Sequence, residues 1–119
     1  MAYEIPGFVL GTLLAGDDLH LAQYRFVVGT AGDNVGLAAA AGQALGVLNN
    51  APVEGEVCEI VCDGVAKVKC DDPVTAFAQV EIGAESGCMT LASGFAVGYA
   101  LEEGVEGQVI SVRLGEYGK

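Results

Sequence analysis

Four cysteines, Cys58, Cys62, Cys70 and Cys88, are the residues of this chain best suited to hold a metal or cluster. Sulfur sites depend on spacing, because one ion must be reached by several ligands at once. Zinc ribbons use paired C-x2-C knuckles, and plant-type iron–sulfur sites use C-x4-C-x2-C. The gaps of three, seven and seventeen residues here match neither pattern, so no metal and no cofactor is expected.

Other chemistry is equally thin. Ser86, Ser93 and Ser111 lack a G-x-S-x-G context, and the single histidine, His20, stands apart from them near the N-terminus. The glycine-rich stretch from Gly29 to Gly36 lacks the Lys-Ser/Thr of a phosphate loop and reads as turns. Asp71 and Asp72 precede Pro73, which fits a turn better than acid–base work. The chain is not expected to be an enzyme.

Charge excludes a further class. Five basic residues against sixteen acidic ones give a net charge of −11. Arg25, Lys67, Lys69, Arg113 and Lys119 are scattered, whereas nucleic-acid binding needs clustered Lys and Arg against phosphates. No nucleic-acid partner is expected, and most of the carboxylates read as a solvated surface. No run of about 18 apolar residues exists, so no membrane partner is expected either. Residues 1–14 make a poor signal peptide, since Gly7 and Gly11 break the apolar run and Glu4 stands where a basic start is needed. Four cysteines without an export signal imply free thiols in a reducing compartment.

The elements that must position these residues come from an internal repeat. Sliding the chain on itself by 52 residues matches Ala44 with Ala96, Gly46 with Gly98, and Val53-Glu54-Gly55 with Val105-Glu106-Gly107; Val57 then meets Val109. The repeats are expected over about 22–63 and 74–115. Two copies are too few for a solenoid, so one β domain over 23–119 is expected, preceded by an extended N-terminal arm over 1–22. Cys58 then aligns with Ile110 and Cys62 with Leu114, which makes those two thiols buried hydrophobes.

Short apolar runs separated by turn residues suggest an all-β fold, a small barrel or sandwich of two similar β-repeats. Gly55 and Gly107 are expected in equivalent loops, at positions needing φ > 0 or close backbone approach. A hairpin is expected over Val57 to Cys70, turning at Asp63-Gly64, with Ile60 facing Ala66, Cys58 facing Val68 and Glu59 facing Lys67. In the second copy Ile110, Val112 and Leu114 point inward, while Val109, Ser111 and Arg113 point outward. The chain is 52% hydrophobic and only 18% charged. Such a surface is expected to hide against partner chains.

The closing stretch, Ala96 to Leu114, together with Asp63-Gly64-Val65-Ala66-Lys67-Val68, resembles the capsid cement, or head decoration, proteins of tailed bacteriophages. There a hydrophobic-Gly-hydrophobic-Ala segment leads through an Ala/Gly/Glu loop into a last strand of alternating aliphatics. The resemblance covers most of residues 20–115 and rests on pattern rather than signature. It implies a non-catalytic protein on the outer surface of the virion, made in the host cytoplasm. It further implies binding to the major capsid protein, commonly as a homotrimer, to stabilise the expanded shell. Other self-assembling virion parts, such as a tail or fibre accessory subunit, and a small-ligand binding barrel are the alternatives. The arm has no counterpart in the family pattern; its apolar residues Ile5, Phe8, Val9, Leu10, Leu13 and Leu14 are expected to be partner contacts, laid on another subunit as an extended strand.

Overall fold

The structure, a computed structural model, describes residue 2 and residues 4–114. The ends of the expected second repeat at 115 and of the expected domain at 119 lie outside the described residues. The fold is all-β. Its strands are β1 (Ile5–Leu10), β2 (Leu14–Ala15), β3 (Phe26–Gly29), β4 (Asn34–Leu37), β5 (Gly46–Leu48), β6 (Ile60–Lys69), β7 (Gln79–Ile82), β8 (Cys88–Thr90), β9 (Gly98–Ala100) and β10 (Val109–Leu114). They form one sheet in the order β2-β4-β3-β5-β6-β10-β9-β7-β8, with β1 laid beside β6. The sheet stays open and packs on itself in two halves, which makes it sandwich-like rather than a closed barrel.

The two halves repeat one another strand for strand. Phe26 pairs with Val47 and Val47 with Val61; in the second half Gln79 pairs with Tyr99 and Tyr99 with Arg113. Ala15 pairs in parallel with Val35, as Cys70 does with Cys88. Leu14 bridges Val57, as Lys69 pairs with Val109. The structural repeat therefore begins earlier than the sequence match. β1 and β2 do for the first half what residues 64–70 do for the second.

This explains β6. Asp63-Gly64 does not turn the chain back, and the expected Val57–Cys70 hairpin with its facing pairs is absent. The strand runs straight through, because the residues after Gly64 start the second half instead of finishing the first. Ile60 and Val61 pair with β5, while Gly64 to Lys69 pair with β10. Gly64 sits at φ 88° where β1 crosses closely. A Cβ there would overlap the Ile5 carbonyl oxygen and the Gly7 amide nitrogen, so only glycine lets β1 approach.

Alternation along the strands fills two cores. Val27, Leu48, Ile60, Cys58 and Val35 line the first, inside the first half. Phe26, Val47 and Val61, on the opposite face of the same strands, join Val68, Val80, Ile82, Ala100, Ile110 and Val112 in the second. The first half is thus covered on both faces, as its near-continuous apolar runs require. Each of Phe26, Val47 and Val61 contributes about 1.5–3 kcal/mol by leaving water. In the second half Ile110, Val112 and Leu114 point inward and Arg113 is exposed. Ser111, expected outside, is buried with 0% exposure. Its amide donates to Glu102 Oε2 at 3.0 Å, just as the Glu59 amide donates to Asn50 Oδ1 at 2.9 Å.

Candidate interaction surface

Outside the core stand the polar seam between the halves, the edge formed by β1 and the paired Val-Glu-Gly tips. The seam is built around Asp71. The residue pair Asp71-Asp72 does open a turn, but the Asp71 side chain is 6% exposed. Its Oδ2 accepts the amides of Glu85 and Gly87, both at 2.8 Å, and its Oδ1 lies 3.6 Å from Arg25 Nη1. The same guanidinium donates to the Glu85 carbonyl. Around it the Phe26 amide donates to the Ser86 carbonyl at 2.7 Å, and the Ser86 hydroxyl donates to the Ala38 carbonyl at 2.7 Å. Asp71 thus braces the 85–87 turn of its own half, while Arg25, Phe26 and Ala38 tie the first half to it, so this cluster is structural. Nearby, a second buried carboxylate, Glu81, accepts the amides of Ala92, Ser93 and Gly94 through one oxygen at 2.7, 3.0 and 2.9 Å. Those amides hold its carboxyl below the ordinary glutamate range.

The cysteines do not converge. Cys58 is buried in the first core, and Cys62 packs partly against it. Burial pushes both thiols up. The register Leu48–Ile60 against Ala100–Val112 places Cys58 opposite the role of Ile110, and Cys62 opposite that of Leu114. Cys70 and Cys88 meet elsewhere, in the second core. All four thiols are free. Among the described residues no group of three His, Cys, Asp or Glu residues is placed to hold a metal. His20 Nδ1 lies 2.7 Å from Asp18 Oδ1 on the surface.

The alternative of a ligand-binding barrel needs an enclosed space. The interiors of both halves are filled by the buried side chains of the two cores. A depression of about 240 Å³ lies at the seam beside Leu21, Leu37 and Arg25, open to solvent.

The edge is different. Residues 5–10, expected as part of an arm, are extended and paired with β6 of the same chain. Among the described residues β1 has no strand on its other side. Ile5 is 62% exposed, Phe8 55% and Val9 42%, although none is polar. The six apolar residues expected as contacts divide: Leu10 and Leu13 pack on the first core, and Leu14 pairs with Asn34 and bridges Val57. Ile5, Phe8 and Val9 alone face outward. Strand edges of this kind are templates for another chain unless blunted. Pro6, which lacks an N–H, and the register shifts on either side of Phe8 blunt this one in part. No sequence signal separates the outward three from the inward three, because the register shifts that leave Gly7 of β1 and Cys62 of β6 without a partner in the ladder arise only where the two strands meet.

The two Val-Glu-Gly tips are a second repeated surface. Gly55 and Gly107 take φ 87° and 88° at matching turns. Glu56 Oε1 accepts the Val53 amide at 2.9 Å, and Gln108 Oε1 accepts the Val105 amide at 3.1 Å. Open space surrounds both glycines, so their conformation, and not crowding, demands them.

Neither a family model nor a curated protein matches the chain. Among solved structures it is similar to the N base of the head fiber protein gp8.5 of bacteriophage phi29, with a TM-score of 0.76 and 18% identity. The match covers 91% of this chain and 95% of that one, and at that identity the likeness is one of fold.

Proposed function

We propose that the chain is a non-catalytic structural component of a bacteriophage head. It decorates the outer surface of the capsid, bound to the major capsid protein, and stabilises the expanded shell. The observation that carries this reading is the fold-wide likeness to a phage head fiber base, over nearly the full length of both chains. The cement-protein resemblance of residues 96–114 points the same way. A structure spent on core packing and seam hydrogen bonds also suits it, as do exposed apolar side chains on β1 and on loops of both halves, among them Leu21, Phe77, Phe95 and Val105.

On this reading β1 is the attachment element, through Ile5, Phe8 and Val9, and copies associate as trimers on the shell. Binding only the expanded lattice stabilises that state by RT ln(1 + [L]/Kd) per site, about 2.7 kcal/mol at a hundredfold excess over Kd. The many sites of a shell multiply that figure.

Co-sedimentation with heads of the phage that encodes the chain is the test, comparing expanded and unexpanded shells. Saturable binding to expanded heads, weakened at least tenfold by Ile5→Ser/Phe8→Ser/Val9→Ser, is the expected result. Equal binding by the triple variant removes β1 from the interface. No binding by either protein overturns the decoration role, and a particle reconstruction showing the chain on the tail replaces it with the accessory-subunit alternative.

A further inference from the structure

We propose that Cys70 and Cys88 are an oxidation site, a dithiol that closes to an intramolecular disulfide and ties β8 covalently to the end of β6. Geometry alone points to it, whatever the chain binds. The two residues are direct partners in a parallel bridge, with their sulfurs 3.9 Å apart. Neighbouring strands lie about 4.8 Å apart, inside the ~4.4–6.8 Å Cα separation that disulfides span. Only a side-chain rotation brings the sulfurs to bonding distance. Gly104 leaves the room for it, since a Cβ there would stand 2.8 Å from the Cys70 sulfur.

The first half shows that sulfur is not needed for packing at these positions. Its equivalents of Cys70 and Cys88 are Ala15 and Val35, paired in the same parallel register and equally buried. An alanine and a valine thus fill this place in the fold. The second half instead puts two thiols in contact where β8 meets the residue after β6 through an isolated bridge. Oxidation would add a covalent link between the two ends of the strand run β6-β10-β9-β7-β8.

Both thiols are buried, so reaction requires local opening. β8 supplies it. It is three residues long, ends the strand order, and has a ladder with β7 alone. The oxidant is a small-molecule disulfide. The Cys70 sulfur, after losing its proton, attacks one sulfur of that disulfide and expels the other as a thiol carrying the proton. The Cys88 sulfur, likewise deprotonated, then attacks Cys70 and expels the second thiol. The protein loses two hydrogens, and one external disulfide becomes two thiols.

The test is to incubate the folded full-length chain with oxidised glutathione and digest it without reductant. The expected product is a Cys70–Cys88 linked peptide, with a rise in Tm on the order of 10 °C that dithiothreitol reverses. Cys58→Ala/Cys62→Ala retains the response. Cys70→Ala/Cys88→Val, which copies the first half, folds and loses it. A linked peptide joining any other pair, glutathione left on single cysteines, or a linked Cys70–Cys88 peptide with unchanged Tm overturns the proposal.

Discussion

Tyr24 and Phe77 occupy the same position in the two halves, and both hold a left-handed backbone, at φ 70° and 64°. The Tyr24 amide donates to the Leu48 carbonyl at 2.7 Å and the Phe77 amide to the Ala100 carbonyl at 2.9 Å. A bulky residue at positive φ is uncommon and costs free energy. That both halves use an aromatic there marks the shared turn into β3 and β7 as a constraint of the fold. Tyr24→Gly and Phe77→Gly should each cost little or even stabilise, within about 1 kcal/mol, as relieved strain offsets lost contacts. Urea melts showing more than about 3 kcal/mol lost at either site would reverse that reading.

The Glu81 carboxylate should make stability fall in acid. Its pKa is depressed in the folded protein, so its contribution is complete above the unfolded value and is lost as pH falls through the folded one. Thermal melts from about pH 6 to pH 3 should show a shallower decline for Glu81→Gln than for the parent. At pH 7 the variant should be less stable by about 1–3 kcal/mol, because three amides lose a charged acceptor.

Glycine substitutions should rank by crowding. Gly55→Ala and Gly107→Ala meet open space and bear only the cost of positive φ, about 1 kcal/mol each. Gly64→Ala adds overlap with the backbone of β1 and should cost at least twice as much. Amide hydrogen exchange should then show β1 released from β6 while β10 stays protected.

Arg25 and Asp71 should be unequal partners. Asp71→Asn weakens acceptance from two amides and leaves Arg25 unneutralised in a half-buried site, whereas Arg25→Gln removes one arm of the seam. Asp71→Asn is expected to lose about 2–4 kcal/mol and Arg25→Gln about half that. A double-mutant cycle giving no coupling would show that the 3.6 Å pair contributes nothing.

Exchanging equivalent residues should expose the asymmetry of the halves. Phe26→Gln puts the Gln79 side chain where the first half is buried on both faces, and should cost about 3–5 kcal/mol. A loss under about 1 kcal/mol would mean that the second core does not need this face.

The sequence carried the second part of each repeat plainly, because Gly46 and Gly98 must both admit a neighbouring strand and Val-Glu-Gly must form the same turn. A Cβ on either glycine would collide with the facing strand, so the residue cannot drift. The first part was illegible. β1, β2 and residues 64–70 share a role but almost no residue types, since one stretch is exposed and the other enclosed. Insertions between them also break any constant shift. Asp63-Gly64 mimics a hairpin for a physical reason: a glycine at positive φ under a crossing strand has the same local signature as one in a hairpin turn. The seam was hidden for another, as Asp71 finds its partners only once the halves meet.

The shared strand β6 has a mechanical consequence. A tether between two modules usually yields before either module does, but here the connection is a beam built into both. A force drawing the halves apart runs along β6 and loads its ladders with β1, β5 and β10 side by side, so they must slide together instead of opening one bond at a time. Among the described residues the waist is a continuous strand and not a flexible linker.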